Sequence, residues 1–325
     1  MIPSATRGRK VFGSDAATML VCAVSPAGAG PIIVVGAHAQ GLFLRVDSVP
    51  AEGESVLGFD YEEPLDGGKA SNQAVAAARL GAPTVLVTVV GEDERGRRAV
   101  AYFEEQRIDV RWCFRSAGPT DVGFVMLPPS AIPAIVTAQD RSRELDEVAV
   151  RRAEEPIAAA SLVICQLEAP PGAALAAFRL ARRAGVRTLL NPSPAMALDP
   201  VLVELTDVMV PNEHEAAALV GARGEPGELA LELARRGLQQ GVIVTAGAAG
   251  AYVASGGGVE HIPAVRVEAV DTTGAGDAFM GALACRLREG ASLHAAAAFA
   301  VQAATLSVTR PGTMPAFASR AELDA

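Results

Sequence analysis

The sequence alternates short apolar runs with longer segments of helical periodicity over most of its length. The run Ile32–Val35 is typical of a buried strand, and the alanine-rich segment Asn72–Leu80 is typical of a helix. The alternation continues to two long predicted helices, at about Ala275–Glu289 and Leu293–Val308. Because parallel strands need crossover helices that cover the sheet, this pattern predicts an α/β fold with a mostly parallel central sheet.

Two segments interrupt the alternation, Leu42–Tyr61 and Arg111–Ile135. Both lack helical periodicity and are rich in β-branched and turn residues, so they are predicted to form additional strands. Inserted near the ends of core strands, these strands would form a small sheet over one edge of the core. We therefore predict one domain over residues 31–325, with a β-sheet lid from about residues 42–61 and 111–135.

The first 30 residues stand apart from this pattern. Basic residues at positions 7, 9 and 10 precede a short apolar run, Ala16–Val24, and Asp15 lies directly before that run. A secretory signal would need a longer apolar stretch without an adjacent acid, so we predict a flexible N-terminal extension. A start of translation at Met19 is an open alternative.

Composition excludes several classes of protein. Half of the 325 residues are apolar and 20% are charged, which is the opposite of a disordered chain. The net charge of −9 argues against nucleic acid or an anionic membrane as a partner, and no apolar stretch is long enough to span a bilayer. The four cysteines lie far apart without metal-ligand spacing, which predicts buried thiols in the cytoplasm. Any anion must therefore be bound by local dipoles and a few placed cations.

The segment Asp271–Asp277, DTTGAGD, is the sharpest local signal. It follows the strand-like segment Val265–Val270, and it opens the helix predicted at about Ala275–Glu289. Glycines there allow several backbone N–H groups to converge on an anion at the helix N-terminus. The carboxylate of Asp277 would stand beside that anion, as a base must in phosphoryl transfer. The alternative is a glycine-rich turn whose aspartate only stabilises the helix.

Three further clusters lie at predicted turns. Paired glycines, Lys69 and Asn72 in the segment DGGKASNQ could bind sugar hydroxyls, or they could form a turn and a capped helix. Asn212 and Glu215 are one helical turn apart and could organise hydrated Mg²⁺, or they could form a capping box. The small-residue turn Thr245–Gly250 could lie against a nucleotide or could be a plain turn. No Walker A or G-x-G-x-x-G motif is present in the sequence.

These clusters, in this order, carry a family resemblance. From Ile32 to about Ala318 the chain resembles the ribokinase-like (PfkB) family of sugar kinases. The matching stretches are GGKASNQAVAAARLGA (Gly67–Ala82), VGEDERG (Val90–Gly96), CQLEAP (Cys165–Pro170), LNPSPA (Leu190–Ala195), VPNEHEA (Val210–Ala216), DTTGAGDAF (Asp271–Phe279) and SVTRPGTMPA (Ser307–Ala316).

The resemblance implies a three-layer α/β/α core with a β-sheet lid, and transfer of the γ-phosphoryl group of ATP to a primary hydroxyl of a small sugar with the help of Mg²⁺. It makes Asp277 the catalytic base and assigns the anion hole to the N–H groups of Gly274, Ala275 and Gly276. The other implied roles are nucleotide binding by Asn212, Thr245, Gly247 and Gly250, Mg²⁺ binding through water by Glu215, and sugar binding by Gly68, Lys69, Asn72 and Glu168.

The family also implies a monovalent cation and a homodimer that pairs through the lid. Backbone carbonyls of Asp271, Thr273, Ser307, Arg310 and Gly312 fall at the places where such a cation would bind. A hydroxyl-bearing residue that usually lies nearby is Ala316 in this chain. Activation by K⁺ therefore stays an open question.

One departure from the family concerns the acceptor. Members that take ribose carry Asn-x-Asp after the first strand, whereas this chain has Ala39 and Gly41 at the aligned positions. Loss of a carboxylate that holds two hydroxyls should change acceptor choice strongly. The nearest replacements are His38, Gln40 and Asp66, and we expect Asp66 to supply the missing carboxylate. The expected acceptor is ribose or a related pentose, tetrose or polyol.

Two alternatives stay open at this point. A nucleoside kinase of the same fold would need an apolar or aromatic base pocket in the lid. An idle sugar-binding paralogue would keep the fold and turn over nothing, although the intact Gly274–Asp277 and Asn212–Glu215 motifs argue against it.

Overall fold

Fourteen strands form two sheets in the computed structural model, which describes residues 30–65, 67–129, 134–238 and 240–325. Residues 1–29 of the predicted extension, and Asp66, lie outside the described residues. The strands are β1 (Ile32–Val35), β2 (Gln40–Val46), β3 (Gly58–Glu62), β4 (Thr84–Gly91), β5 (Ile108–Asp109), β6 (Cys113–Ser116), β7 (Val122–Leu127), β8 (Ala134–Ala138), β9 (Leu162–Cys165), β10 (Arg187–Leu190), β11 (Val208–Met209), β12 (Gly241–Thr245), β13 (Ala251–Ser255) and β14 (Gly258–Ile262).

The large sheet has the strand order β14-β13-β12-β11-β10-β9-β1-β4-β5, and β6 also pairs with β4. All of its pairings are parallel except those of β13 with β12 and with β14. The mostly parallel central sheet predicted from the strand–helix alternation is thus confirmed.

Helices cover both faces of this sheet. Along β1, Ile32 and Val34 pack into one apolar cluster, whereas Ile33 and Val35 pack into the other, so the strand is apolar throughout. Four helices supply the first cluster and six supply the second. The helices are α1 (Lys69–Arg79), α2 (Glu94–Glu105), α9 (Ala275–Arg288) and α10 (Leu293–Ser307) on the first face, α3 (Glu147–Arg151), α4 (Glu154–Ala158), α5 (Pro171–Arg183), α6 (Pro200–Glu204), α7 (Glu213–Val220) and α8 (Pro226–Ala234) on the second, and α11 (Arg320–Leu323) near the C-terminus.

The small sheet has the order β3-β2-β7-β8. Its strands fall within or next to the two segments predicted to form a lid. Apolar side chains on it are exposed, among them Phe124 (45%) and Val136 (62%), which lie directly opposite each other on β7 and β8. A sheet that leaves such residues in solvent has an unpartnered apolar surface.

Two predicted strands need correction. Cys113–Ser116, placed in the lid by the sequence pattern, instead extends the large sheet as β6, pairing parallel with β4. Val265–Val270 forms no strand, and the valines at positions 265, 267 and 270 are exposed. A valine-rich segment without a neighbouring strand to pair with stays irregular, whatever its β propensity.

Close packing of α1 against α9 brings the first turns of both helices together. Gly281 of α9 allows this contact, because a Cβ atom there would lie 2.5 Å from Cβ of Ala76 and 2.7 Å from the backbone nitrogen of Ala77. Among the described residues no helix is long and apolar enough to span a membrane.

Candidate active site

Most of the predicted site residues lie near one edge of the large sheet. Glu168, Asn212 and Thr245 lie at or after the carboxyl ends of β9, β11 and β12, and others lie at the amino ends of α1 and α9. Hydrogen bonds link these segments directly, since Asn72 of α1 reaches Asp277 of α9 and the N–H of Lys69 reaches Glu168 after β9. This edge is where α/β folds with open sheets bind their ligands.

The amino end of α9 has the geometry of an anion site. Gly274 adopts a left-handed conformation with φ 75°, and the helix begins at Ala275 without a side-chain cap. The first N–H groups of a helix have no acceptor within it, although that of Ala275 makes a long 3.3 Å bond to the carbonyl of Thr272. A Cβ atom at position 274 would collide with the Thr313 side chain, so glycine is required there.

Asp277 lies in the first turn of α9 and is 6% exposed. Its Oδ2 accepts a hydrogen bond of 2.9 Å from Nδ2 of Asn72, and its Oδ1 accepts one of 2.9 Å from Nε2 of Gln73. Burial raises the pKa of the Asp277 carboxyl, and the ammonium of Lys69 and the two amide donors oppose this shift. A carboxylate with a raised pKa is suited to accept a proton from a hydroxyl.

The amino end of α1 lies against the chain that follows β1. Gly67 and Gly68 have positive φ, and a Cβ atom at position 68 would lie 2.7 Å from the backbone at Ala37, His38 and Ala39. Only glycine permits this approach of two backbone segments. The turn thereby places Lys69 and Asn72 at the edge of the sheet.

Lys69 is surrounded by carboxylates. Burial of its ammonium lowers its pKa, but the charges of Asp277, Glu168 and Glu215 outweigh burial and leave the pKa raised. Burial likewise raises the pKa of Glu168, against the effect of Lys69. The ammonium of Lys69 therefore offsets part of the negative charge of these carboxylates.

Asn212 and Glu215 form the capping box that the sequence left as an alternative. The Asn212 side chain accepts a bond of 2.8 Å from the N–H of Glu215, and Oε2 of Glu215 accepts one of 2.9 Å from the N–H of Asn212. The other Glu215 oxygen accepts no hydrogen bond within the part of the chain that the structure describes, so it can hold water on Mg²⁺. Within the same residues no cluster of three acidic, histidine or cysteine side chains could bind a metal directly.

The turn after β12 is open to solvent. Asn212 and Thr245 form an isolated parallel bridge, which brings the capping box beside this turn. Gly247 has φ 49° and nothing within 4 Å of its Cβ position, whereas Gly250 packs against the backbone after β14. The turn therefore offers a flat surface of small residues.

The carboxylate of Asp271 accepts hydrogen bonds from two loops. Its Oδ1 accepts a bond of 2.9 Å from the N–H of Thr273, and its Oδ2 accepts one of 3.0 Å from the N–H of Gly312. The side chain of Arg310 is held by Glu322 at 2.7 Å, while the Ser307 carbonyl accepts from the N–H of Arg310 at 3.2 Å. The predicted carbonyl ligands of a monovalent cation thus lie at the end of α10 and on the two loops that Asp271 joins.

His38, another predicted sugar contact, is enclosed by core residues. His38 is 1% exposed, its ring packs edge-on against Phe103, and its Nδ1 is 3.0 Å from Oγ of Ser71. Asp66 lies outside the described residues. Gln40 is also buried, at 1% exposure.

Two buried glutamines were missed by sequence reasoning. Gln73 contacts Asp277, and Gln166 donates to Gln73 at 2.5 Å across 93 residues of sequence. The position of Gln73 next to Asn72 was the only signal, because such distant partners leave no local pattern.

Comparison with known proteins extends over nearly the whole described chain. The model of the pfkB family carbohydrate kinases matches residues 32–319. A ribokinase of Haemophilus influenzae is 35% identical over 286 residues, which cover 86% of this chain and 93% of that protein. A ribokinase of Mus musculus is 37% identical over 264 residues, covering 79% of this chain and 81% of that protein. The structure of an Arabidopsis thaliana ribokinase complexed with ribose and ATP has a TM-score of 0.83 at 27% identity, covering 91% of this chain and 97% of that one.

Proposed function

Because this chain belongs to the pfkB family of carbohydrate kinases, we propose that it transfers the γ-phosphoryl group of ATP to a primary hydroxyl of a small sugar through Asp277. The observation that carries the proposal is the position of this buried carboxylate in the first turn of α9, beside helix N–H groups that can bind the transferred phosphoryl group.

Asp277 is the group we assign to remove the proton of the acceptor hydroxyl. Each of its oxygens receives one amide donor and keeps a second lone pair for the hydroxyl. The N–H groups of Gly274, Ala275 and Gly276 would stabilise the negative charge that develops on the phosphoryl oxygens. Lys69 adds a partly buried positive charge next to the base.

The nucleotide would lie between Asn212 and the turn that contains Thr245, Gly247 and Gly250. The Asn212–Thr245 bridge supports this, since it places the two segments side by side. Mg²⁺ on the phosphates would neutralise charge during transfer, and the free oxygen of Glu215 would hold one of its waters. A monovalent cation would use the carbonyls of Asp271, Thr273, Ser307, Arg310 and Gly312, with Ala316 in place of a hydroxyl.

The acceptor is proposed to bind near Gly68, Lys69, Asn72 and Glu168. Ala39 and Gly41 provide no side-chain donor or acceptor on the wall after β1, and His38 and Gln40 are buried. We therefore propose a pentose, tetrose or polyol whose hydroxyls are held from the other wall, with Asp66 as the carboxylate. Ribose is expected to be a poorer substrate than the best such compound.

Two broader assignments complete the proposal. Homodimers would pair through the exposed apolar residues of the small sheet, such as Phe124 and Val136. A cytoplasmic location is supported by Cys113, Cys165 and Cys285, which are free and buried.

An ATP-coupled screen tests the function. Purified full-length protein is given ATP, Mg²⁺ and a panel of pentoses, tetroses, polyols and nucleosides, with K⁺ or with Na⁺. We expect sugar-dependent ADP formation with at least one sugar or polyol, and phosphate on its primary hydroxyl by NMR. ADP formation with none of the compounds would contradict the kinase proposal, and turnover of nucleosides alone would contradict the acceptor class.

A further inference from the structure

Amide side chains surround the carboxylate of Asp277 in a continuous chain of hydrogen bonds. Gln166, after β9, donates from Nε2 to Oε1 of Gln73 at 2.5 Å. Gln73, in the first turns of α1, donates from Nε2 to Oδ1 of Asp277 at 2.9 Å and to Oδ1 of Asn191 at 3.1 Å. Three elements of the core therefore converge on the carboxylate through Gln73.

The neighbours of Gln73 fix which way its amide faces. Asn191 donates from Nδ2 to the carbonyl of Val210 at 2.9 Å, so its Oδ1 faces Gln73 as an acceptor. A flipped Gln73 amide would set its oxygen against the oxygens of Asn191 and Asp277, and its NH₂ group against that of Gln166. Both hydrogens of its Nε2 thus remain directed at acceptors.

Burial strengthens the hydrogen bonds between these amides and the Asp277 carboxylate. Gln73 is fully buried and Gln166 is 2% exposed, so no solvent competes for these hydrogen bonds. Hydrogen bonds to an ionised carboxylate are roughly twice as strong as neutral ones. The charged groups that face Asp277 are Lys69 from α1 and Glu168 from the segment after β9, and they act in opposite directions.

We propose that Gln73 is a positioning residue for phosphoryl transfer, which fixes the rotation of the Asp277 carboxylate and favours its ionised form. Gln166 and Asn191 hold the Gln73 amide in the orientation that this requires. The inference rests on the proposed role of Asp277 as the base.

The test replaces the amide without changing side-chain length. Gln73→Met removes the donor, and we expect kcat to fall about 10- to 100-fold through misplacement of the base, with KM for ATP unchanged. The acidic limb of the pH profile of kcat should move up by about 1 pH unit, because an ionised Asp277 loses a donor. Gln166→Met should give a smaller change in the same directions. Gln302→Met, on the exposed side of α10, is the matched control and should leave both quantities unchanged.

A double-mutant cycle separates positioning from a general structural effect. In an Asp277→Asn background, Gln73→Met should cause little further loss, because its effect passes through the carboxylate. Turnover is measured with D-ribose or the fastest sugar of the panel, and folding is checked by thermal unfolding and by binding of a non-hydrolysable ATP analogue. If Gln73→Met does not fold, Gln166→Met takes its place with the same readouts.

The outcomes discriminate between the two proposals. An unshifted acidic limb, or an equal loss in both backgrounds, would overturn the role of Gln73 alone. Wild-type turnover by Asp277→Asn itself would instead remove the proposed base, and with it the mechanism.

Discussion

His38 shows how burial changes the chemistry of a single residue. Its imidazole is enclosed by Phe103 and Ser71, and burial lowers its pKa to about 4. The folded protein therefore holds a neutral ring over a pH range in which the unfolded chain binds a proton. Stability from this residue is complete above pH 6.5 and is lost as pH falls from there toward 4.

We predict that His38→Leu makes unfolding less sensitive to acid. Between pH 7 and pH 5 the wild-type protein should lose about 2 kcal/mol more stability than the variant, because only its unfolded state gains the imidazole proton. Urea unfolding at the two pH values measures this difference. Equal losses in both proteins would mean that His38 titrates alike in the folded and unfolded states.

Single residues differ in how well sequence could predict them. Asp277 and the glycines before it were predicted because they lie in one contiguous motif, and the structure brings Asp277 together with Asn72 and Lys69 as expected. Their roles stay predictions. Gln73 and Gln166 could not be predicted, since their contacts join residues about 90 to 200 positions apart.

Among the secondary-structure elements, the contact between α1 and α9 does most to assemble the site. Asn72 and Gln73 belong to α1, and Asp277 belongs to α9. Their 2.9 Å hydrogen bonds require the helix separation that Gly281 permits. A change in this separation should affect stability and turnover together.

We predict that Gly281→Ala destabilises the protein by about 1–3 kcal/mol, since the added methyl group overpacks the contact with Ala76. Turnover should fall as well, because α9 moves away from the amides of α1. Gly172→Ala in α5 is the matched control, as nothing lies within 4 Å of its Cβ position. It should be neutral or stabilising by up to about 1 kcal/mol. Thermal unfolding and ATP-coupled turnover of both variants check this, and unaltered stability in Gly281→Ala would contradict the packing account.

Sequence periodicity predicted the buried elements better than the exposed ones. The strand at Ile32–Val35 has the predicted bounds, and the helix predicted at about Ala275–Glu289 is observed at Ala275–Arg288, because most residues of both elements are buried and this sets a clear pattern. The run Val265–Val270 has the composition of a strand but no partner, and β6 joins the core sheet although it was assigned to the lid. Pairing partners are a property of the tertiary fold, which local composition does not contain.

For the whole molecule, the acidic charge of −9 and the binding of phosphates are compatible. The structure places helix N-termini and one partly buried lysine at the site, so anion binding needs no basic surface. The small sheet, in contrast, leaves apolar side chains in solvent, and the proposed homodimer would cover them.

We predict that the wild-type protein sediments as a dimer and that Val136→Glu shifts it toward the monomer. The new charge would be desolvated beside Phe124 if two small sheets met there. The control is Val148→Glu in α3, which lies outside the small sheet. Val148 is about as exposed as Val136, and this variant should stay dimeric. A monomeric wild-type protein, or two variants that sediment alike, would contradict pairing through this sheet.

The account depends most on Asp277 as the base of a sugar kinase. The decisive measurement is the ATP-dependent turnover of wild-type protein and Asp277→Asn with the best sugar of the panel, alongside binding of an ATP analogue. We predict that kcat falls about 10²- to 10⁴-fold in the variant, the range for one general base, while nucleotide binding is kept. Turnover equal to that of the wild type, with the same pH dependence, would contradict the proposed mechanism.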